Sequence, residues 1–429
     1  MQDSLIGFAV LLGFCFVGVP MGFALVAVGF FGFALERSFP AAFATVGQQV
    51  QDVATNYGFS VLPLFLLMGT FIHRAALSED LYDASNAWLG HLRGGLAMAT
   101  ITACGGLAAV SGSSLATAAT MGKIAIPSMR RYDYADSLAG GAVAVGGTLG
   151  ILIPPSVPMV IYGILTQGDI GKLFIAGVLP GIMMVALLMM VVGILTRIRP
   201  DLGPPGVKQS WEVRLRALGN VWGVLLLFAI VIGGMYTGVF TPTEAAGIGA
   251  AGAFLFALFR RRLNWSTFVA ALVEAGETTC IILTVTLGAL IFSNFLDLSG
   301  LPTALAEWIK SLHLGPLPVI LAMCGIYIIL GCLFDSLAML ILTVPVFFPI
   351  TQSLGIDPIW FGIIVIIVVE IGLITPPVGM NVFIIKGMFK EMSIWTIFAG
   401  VTPFLVAQFV GLGLIIVFPA IALILPRLM

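Results

Sequence analysis

Two places in this chain gather oxygen ligands inside otherwise apolar sequence. The first pairs Ser111-Gly112-Ser113-Ser114 with the later run Gly150-Ile151-Leu152-Ile153-Pro154-Pro155-Ser156, and the second pairs Phe334-Asp335-Ser336 with Gly372-Leu373-Ile374-Thr375-Pro376-Pro377. Two consecutive prolines remove two backbone donors and disfavour helix for the residue before them, so nearby carbonyls lose their intrahelical partners. Inside a bilayer such carbonyls must be met by protein, water or a cation. Hydroxyl and carbonyl oxygens suit a hard cation, and exposed helix N-termini suit an anion. Softer chemistry has little basis. Cys15, Cys104, Cys280, Cys324 and Cys332 lie in apolar stretches without a C-x-x-C pair, and His73, His91 and His313 share no spacing, so no transition metal, redox centre or resident cofactor is expected. No Gly-x-x-x-x-Gly-Lys-Ser/Thr loop is present to couple ATP directly.

The elements that must hold these residues are transmembrane helices. Of 429 residues, 60% are hydrophobic and 9% charged, and mean hydropathy is +1.13, against about 25% charge in a soluble domain. The reading is an all-α polytopic membrane protein embedded in a lipid bilayer. Nucleic-acid binding, soluble enzymology and fibrous roles are excluded. At roughly 20 apolar residues per span the chain holds about a dozen crossings or part-crossings. The 19 basic and 20 acidic residues matter by position, since they nearly cancel. The start has no basic region and no small-residue cleavage site, so it does not read as a signal peptide. Its apolar run, 5–35, is broken at Gly18-Val19-Pro20-Met21-Gly22 into two short helices.

The chain repeats itself. Ser114-Leu115-Ala116 recurs as Ser336-Leu337-Ala338 (336 − 114 = 222), and the same offset places Pro127 on Pro349, Gly150 on Gly372, Pro154-Pro155 on Pro376-Pro377 and Pro20 on Pro242. A one-residue slip then aligns Ala176-Gly177-Val178-Leu179-Pro180 with Ala399-Gly400-Val401-Thr402-Pro403. A shared spacing of this kind marks a duplication, a common plan among secondary transporters. It divides the chain into a first repeat, 1–196, a linker, 197–217, and a second repeat, 218–429. The linker is the most polar stretch, with a Gly203-Pro204-Pro205-Gly206 turn, and a solvated loop is enough to explain its charges. Its arginines put it in the cytoplasm.

Within each repeat the spacing predicts a re-entrant helical hairpin followed by a broken transmembrane helix. The first hairpin covers about 95–127, with arms too short to cross a ~30 Å hydrocarbon core, and its broken helix covers about 138–165. The mates are a hairpin at about 316–349 and a broken helix at about 360–385. Arg93 and Arg130-Arg131 flank the first hairpin, which should open to the cytoplasm, whereas the second has no basic flank and should open to the periplasm. Amphipathic segments at 78–93 and 299–313 precede the hairpins as interfacial anchors or as lateral arms of a moving unit.

The combination of Ser111-Gly112-Ser113-Ser114, the G-T-L-G-I-L-I-P-P-S run 147–156, Leu173-Phe174-Ile175-Ala176-Gly177-Val178-Leu179-Pro180-Gly181 and Ile374-Thr375-Pro376-Pro377-Val378-Gly379-Met380-Asn381 resembles the large membrane subunit of TRAP (tripartite ATP-independent periplasmic) transporters, the DctM-like family, over essentially the whole length. The resemblance implies the inverted-repeat fold of elevator-type ion transporters. It implies a bacterial inner-membrane importer of small organic acids driven by sodium ions, and no enzyme. Its partners would be a small four-helix membrane subunit and a periplasmic substrate-binding protein. Carried over residue by residue, a first cation site would use Ser111, Gly112, Ser113, Ser114, Gly147, Thr148 and Gly150, and a second Asp335, Ser336, Thr375, Gly379 and Asn381. The substrate carboxylate would sit near Ser113, Pro155, Ser156 and Pro377. A stand-alone sodium/carboxylate symporter of the same fold is the alternative.

Among single residues, Asp335 is the one acid at either hairpin tip, and its repeat mate is Ser113 (335 − 222 = 113). A carboxylate at membrane depth points to cation coordination or coupling, with a helix cap as the plainer role. Glu370 lies beside the second break and could cap, pair or bind an ion. Lys123 is near enough to the end of its hairpin arm to snorkel.

Overall fold

The computed structural model describes residues 2–75, 77–332 and 334–429, and among them every regular element is a helix. The first half runs α1 (Gln2–Phe16), α2 (Met21–Glu36), α3 (Phe39–Thr55), a 3-10 turn at Tyr57–Ser60, α4 (Val61–Arg74), α5 (Leu77–Leu89), α6 (Gly95–Ser111), α7 (Ser114–Arg131), α8 (Asp136–Leu152), α9 (Val157–Leu165) and α10 (Ile170–Ile198). The second runs α11 (Trp211–Tyr236), α12 (Pro242–Phe259), α13 (Trp265–Leu298), α14 (Leu301–Ser311), α15 (Pro316–Gly331), α16 (Ser336–Ser353), α17 (Pro358–Gly372), α18 (Met380–Met388), α19 (Ile394–Val417) and α20 (Ala420–Arg427). Among the described residues seven helices are long and apolar enough to cross a membrane, or eight if the bent pair 39–55 and 57–74 is one span.

The helix starts follow the spacing read from sequence. α7 and α16 begin 222 residues apart (336 − 114), as do α8 and α17 (358 − 136). Local chemistry explains these starts. Ser113 and Asp335 occupy equivalent N-caps, where a side-chain oxygen accepts a backbone N–H that the first turn leaves unpaired: Ala116 N donates to Ser113 Oγ at 3.4 Å and Leu337 N to Asp335 Oδ2 at 3.2 Å. The first hairpin turns at Gly112, whose φ of +58° is strained for any residue with a Cβ. Leu333, in the second tip, lies outside the described residues.

Packing repeats as well, with the halves interlocked. Hairpin arm α7 packs on its own broken helix α8 and on α18 of the other half, and α16 packs on α17 and on α9. In the same way α8 lies against α19, and α17 against α10. At the α8/α19 crossing a Cβ on Gly400 would fall 1.8 Å from the Ser137 carbonyl oxygen, so the two backbones are nearly touching. A ring of further helices repeats in pairs, α2 on α13 and α12 on α4. The halves differ where α13 runs 34 residues unbroken while its counterpart bends by 55° between 39–55 and 57–74. Asn56 causes the interruption, because its side chain accepts from Gly58 N at 2.8 Å and caps a new turn.

Two expectations need correction. α10 reaches Ile198 and α11 begins at Trp211, so helix covers both ends of the stretch read as linker 197–217. What remains is also no free loop: the Gly203 carbonyl accepts from Gly94 N at 2.9 Å, Leu202 O from Ala135 N at 3.1 Å, and Pro204 O from the Tyr134 hydroxyl at 2.9 Å, while Gly206 N donates to Gly90 O at 2.9 Å. The prolines and glycines that suggested a solvated turn leave carbonyls free to strap the base of the first hairpin.

The inverted arrangement has a direct test. In a background without the native cysteines, a cysteine at position 128 should react with membrane-impermeant maleimide from the cytoplasmic side only, and one at position 353 from the periplasmic side only. Labelling of both from one side would rule the arrangement out.

Candidate functional site

Each proline pair interrupts a helix at the depth of a hairpin tip. Both X-Pro bonds, Pro154–Pro155 and Pro376–Pro377, are cis. Ile151 and Leu373 occupy equivalent positions (373 − 151 = 222), and each carbonyl lacks a helical donor because the residue four ahead is proline. The halves solve this differently: Ser156 Oγ donates to Ile151 O at 2.5 Å, and the backbone N–H of Asn381 donates to Leu373 O at 3.1 Å. Gly372 O accepts from Thr375 N at 3.1 Å, whereas the equivalent N–H, that of Ile153, donates to Leu149 O at 3.0 Å rather than to Gly150 O.

Most residues of the first set come together. Ser111 Oγ and Thr117 Oγ1 share a 2.6 Å hydrogen bond, and Thr117 also donates to Ser113 O at 2.8 Å, closing the tip. A Cβ on Gly150 would lie 2.6 Å from Ser113 O, and one on Gly147 2.6 Å from Ala118 Cβ, so these glycines let α8 lie directly against the tip and its second arm. Gly112 meets the break itself, its carbonyl accepting from Val157 N at 3.4 Å. Thr148 is the exception. Its hydroxyl donates to Val145 O at 2.8 Å and accepts from Gln408 Nε2 of α19 at 3.0 Å, away from the tip.

The second set is more dispersed. The tip touches its break where Cys332 Sγ donates to Pro376 O at 3.2 Å and where Gly331 approaches Gly372 so closely that a Cβ would lie 2.8 Å from its Cα. Thr375 Oγ1 donates to Ile371 O at 2.6 Å, and Gly379 starts α18 at a φ of +60°. Asp335 and Ser336 line up at the start of α16, but among the described residues no hydrogen bond joins Asp335 to Thr375 or Gly379. Asp335 instead borders a cavity of about 440 Å³ between α16, the start of α2 at Pro20–Phe23, and α13 at Cys280–Val285. Asn381 departs from the set to which the resemblance assigned it. Because α18 packs on α7 and α8, its side chain goes to the first half, with Nδ2 donating to Ser114 Oγ at 2.8 Å and to Ala144 O at 2.9 Å.

Of the substrate candidates, Ser113 is half-buried, Pro155 and Ser156 are buried, and Pro377 is exposed. Ser156 is 1% exposed with its proton committed to Ile151 O, so it serves the break first. Sequence reading missed two polar residues. Thr117 was findable, four residues after Ser113 on the inner face of the arm. Gln408 gave no local signal, because its role comes from the α8/α19 crossing. Glu370, the repeat mate of Thr148 (370 − 148 = 222), is fully buried, and neither carboxylate oxygen has a partner among the described residues. Lys123 is exposed on α7.

At the base of the first hairpin Arg130 holds three elements. It pairs with Asp136 of α8 through Nε at 2.7 Å and Nη2 at 3.0 Å, reaches Glu391 beyond α18 at 2.5 Å, and lies 5.6 Å from the Phe389 ring. The guanidinium holds the Glu391 carboxyl below its ordinary range.

This arrangement coincides with a known family. Residues 8–421 match the family described as the tripartite ATP-independent periplasmic transporter, DctM component. The chain belongs to this family. It is 38% identical over 390 residues, 90% of each chain, to the C4-dicarboxylate TRAP transporter large permease protein DctM of Pseudomonas aeruginosa. It is 34% identical over 422 residues, 97% of each chain, to the sialic acid TRAP transporter large permease protein SiaM of Vibrio cholerae. In fold it is similar to the YdaH transporter of Alcanivorax borkumensis, at a TM-score of 0.52 and 17% identity over 86% of this chain and 87% of that one. The polytopic TRAP permease is thus a transport component, and its tips and breaks are the place to look for what it carries.

Close packing at the first tip yields a prediction. Gly150→Ala should press a methyl into the Ser113 carbonyl, costing about 1–3 kcal/mol by overpacking. The unfolding midpoint of the purified permease should fall accordingly. A midpoint equal to wild type would mean that the tip yields freely.

Proposed function

We propose that the permease imports a small organic acid across the bacterial inner membrane, driven by a sodium gradient, with substrate delivered by a periplasmic binding protein and with a small membrane subunit completing the complex. The observation that carries this reading is the duplicated pairing of a hydroxyl-bearing hairpin tip with a proline-broken helix, each pair offering hard oxygen atoms in an apolar setting. Oxygen-only sets favour a hard cation such as sodium. The relatives named for C4-dicarboxylate and sialic acid support a carboxylate as cargo. Interlocked hairpins and breaks favour an elevator mechanism, in which α6–α9 and α15–α18 travel as one body past α2, α4, α12 and α13. The Arg130 clamp, which ties α7, α8 and the segment after α18, supports the integrity of that body.

Uptake into proteoliposomes should require a sodium gradient, the small subunit and the loaded binding protein together, and should ignore ATP. Unchanged uptake in sodium-free buffer under a proton gradient would overturn the choice of cation. Transport by the permease alone would turn the reading toward a stand-alone symporter.

Asp335 separates ligand from cap. Asp335→Asn preserves shape and keeps an oxygen to cap Leu337 N, but removes a full charge. Loss of a charged ligand should weaken cation binding by about 1–3 kcal/mol, by analogy with charge-assisted hydrogen bonds. Half-saturating sodium should then rise roughly tenfold while docking of the binding protein is unaffected. Wild-type sodium dependence would reduce Asp335 to the N-cap of α16.

A further inference from the structure

We infer that Asn381 and Gln408, both from the second half, are positioning residues for the first cation site. The inference rests on the cation reading proposed above. Both amides are fully buried and both reach across to the first half. Asn381 bridges hairpin and broken helix: Nδ2 spends one proton on Ser114 Oγ at 2.8 Å and the other on Ala144 O of α8 at 2.9 Å. One turn further along α8 toward the break, Gln408 Nε2 donates to Thr148 Oγ1 at 3.0 Å. Asn381 sets the register of α8 against α7 and Gln408 that of α8 against α19, and the place of α8 so fixed decides how far the Gly150 carbonyl stands from Ser111 and Ser113.

The proton inventory fixes the amide orientations. Thr148 has committed its proton to Val145 O at 2.8 Å, so Thr148 Oγ1 can receive only an N–H, which must be Gln408 Nε2. Ala144 O is likewise an acceptor and demands Asn381 Nδ2. With that nitrogen placed, Ser114 Oγ lies 3.1 Å from Asn381 Oδ1 and can donate to it. A serine oxygen whose proton is turned toward an amide oxygen keeps a lone pair for a cation. Gln408 Oε1 is buried with no partner among the described residues, so this amide is held by Thr148 alone.

Among the described residues no reciprocal amides are found. The second segments of the broken helices, α9 and α18, start 223 residues apart (380 − 157), and in that slipped register the equivalents of Asn381 and Gln408 are Pro158 and Val185 (381 − 223 and 408 − 223), neither of which has a side chain that can donate. The mate of Thr148 is Glu370, which has no partner among the described residues. Support thus runs one way, and the two cation sites should respond differently to loss of a crossing amide.

The experiment uses the permease reconstituted with its small subunit and loaded binding protein, titrated with sodium chloride against choline chloride. Gln408→Leu and Asn381→Leu should each raise half-saturating sodium about tenfold, the worth of one or two buried hydrogen bonds, with the half-saturating concentration of binding protein unchanged. The sodium-induced rise in unfolding midpoint of the purified permease should shift to higher sodium in parallel. Thr148→Val should have the same effect, and combining it with Gln408→Leu should add little, because both remove one bond. If Gln408→Leu fails to fold, Gln408→Met and Asn381→Leu decide, since each comes close to the native volume and removes the donor without adding a carboxyl. Folded variants with wild-type sodium half-saturation in both assays overturn the inference. A wild-type protein indifferent to sodium would instead overturn the coupling reading.

Discussion

Every feature of the site traces to carbonyl oxygens that proline has deprived of donors inside a hydrocarbon layer. Each orphaned carbonyl there costs several kcal/mol if left unmet, so a proline pair in a span demands a local remedy. For Ile151 the remedy is a side chain, the hydroxyl of Ser156, and for Leu373 it is backbone, the N–H of Asn381. The choice has a consequence. With the Asn381 backbone serving the second break, its side chain is free to cross to Ser114 and Ala144. Ser156, spent on its own break, can do nothing comparable in the other direction.

The duplication is therefore more exact in geometry than in chemistry. Helix starts keep their spacing and the hairpins keep their exchanged contacts, yet Thr148 is answered by Glu370, Ser113 by Asp335, and Gln408 by Val185. Neutral oxygen atoms crowd the first half of the interface, while the acids lie in the second. On the proposed cation reading, identical ligands in both halves would hold two ions with the same strength, whereas substitution at equivalent positions would let two ions bind in sequence. The bend at Asn56 belongs to the same divergence, since it breaks one copy of a helix that runs straight through 34 residues in the other.

Much of the fold was legible in the sequence because its determinants are local. Prolines and glycines punctuate helices wherever they stand, and the spacing of 222 residues located α7 and α16, α8 and α17 before any coordinates did. The tip residues were legible for the same reason: Ser111, Ser113 and Gly150 meet because hairpin and break adjoin in the chain. That the Asn381 side chain reaches into the first half was not legible, because the interlock of α18 with α7 joins residues 267 apart. Gln408 and the strap at 202–206 escaped notice on the same ground. Polar residues in those runs looked like ordinary loop or core substitutions, and only the tertiary crossing gives them partners.

Two groups of polar contacts share little. Arg130, Asn381 and Gln408 bind hairpin one, its broken helix and the end of the second half to one another. Away from them, arm α5 is fixed to α11 and α12: Arg214 stacks between Trp88 and Trp211 at 5.7 and 5.4 Å, and Asp80 pairs with Arg260. The 202–206 strap crosses between the groups, bonded to Gly90 at the arm's end and to Gly94 and Ala135 at the hairpin's base. Motion of one group against the other must flex the arm-to-hairpin junction, where Gly94 already sits at a φ of +70°. Backbone hydrogen bonds are well suited to such a joint. They are directional enough to hold an end state and individually weak enough, at about 1 kcal/mol net, to be exchanged in the proposed elevator motion.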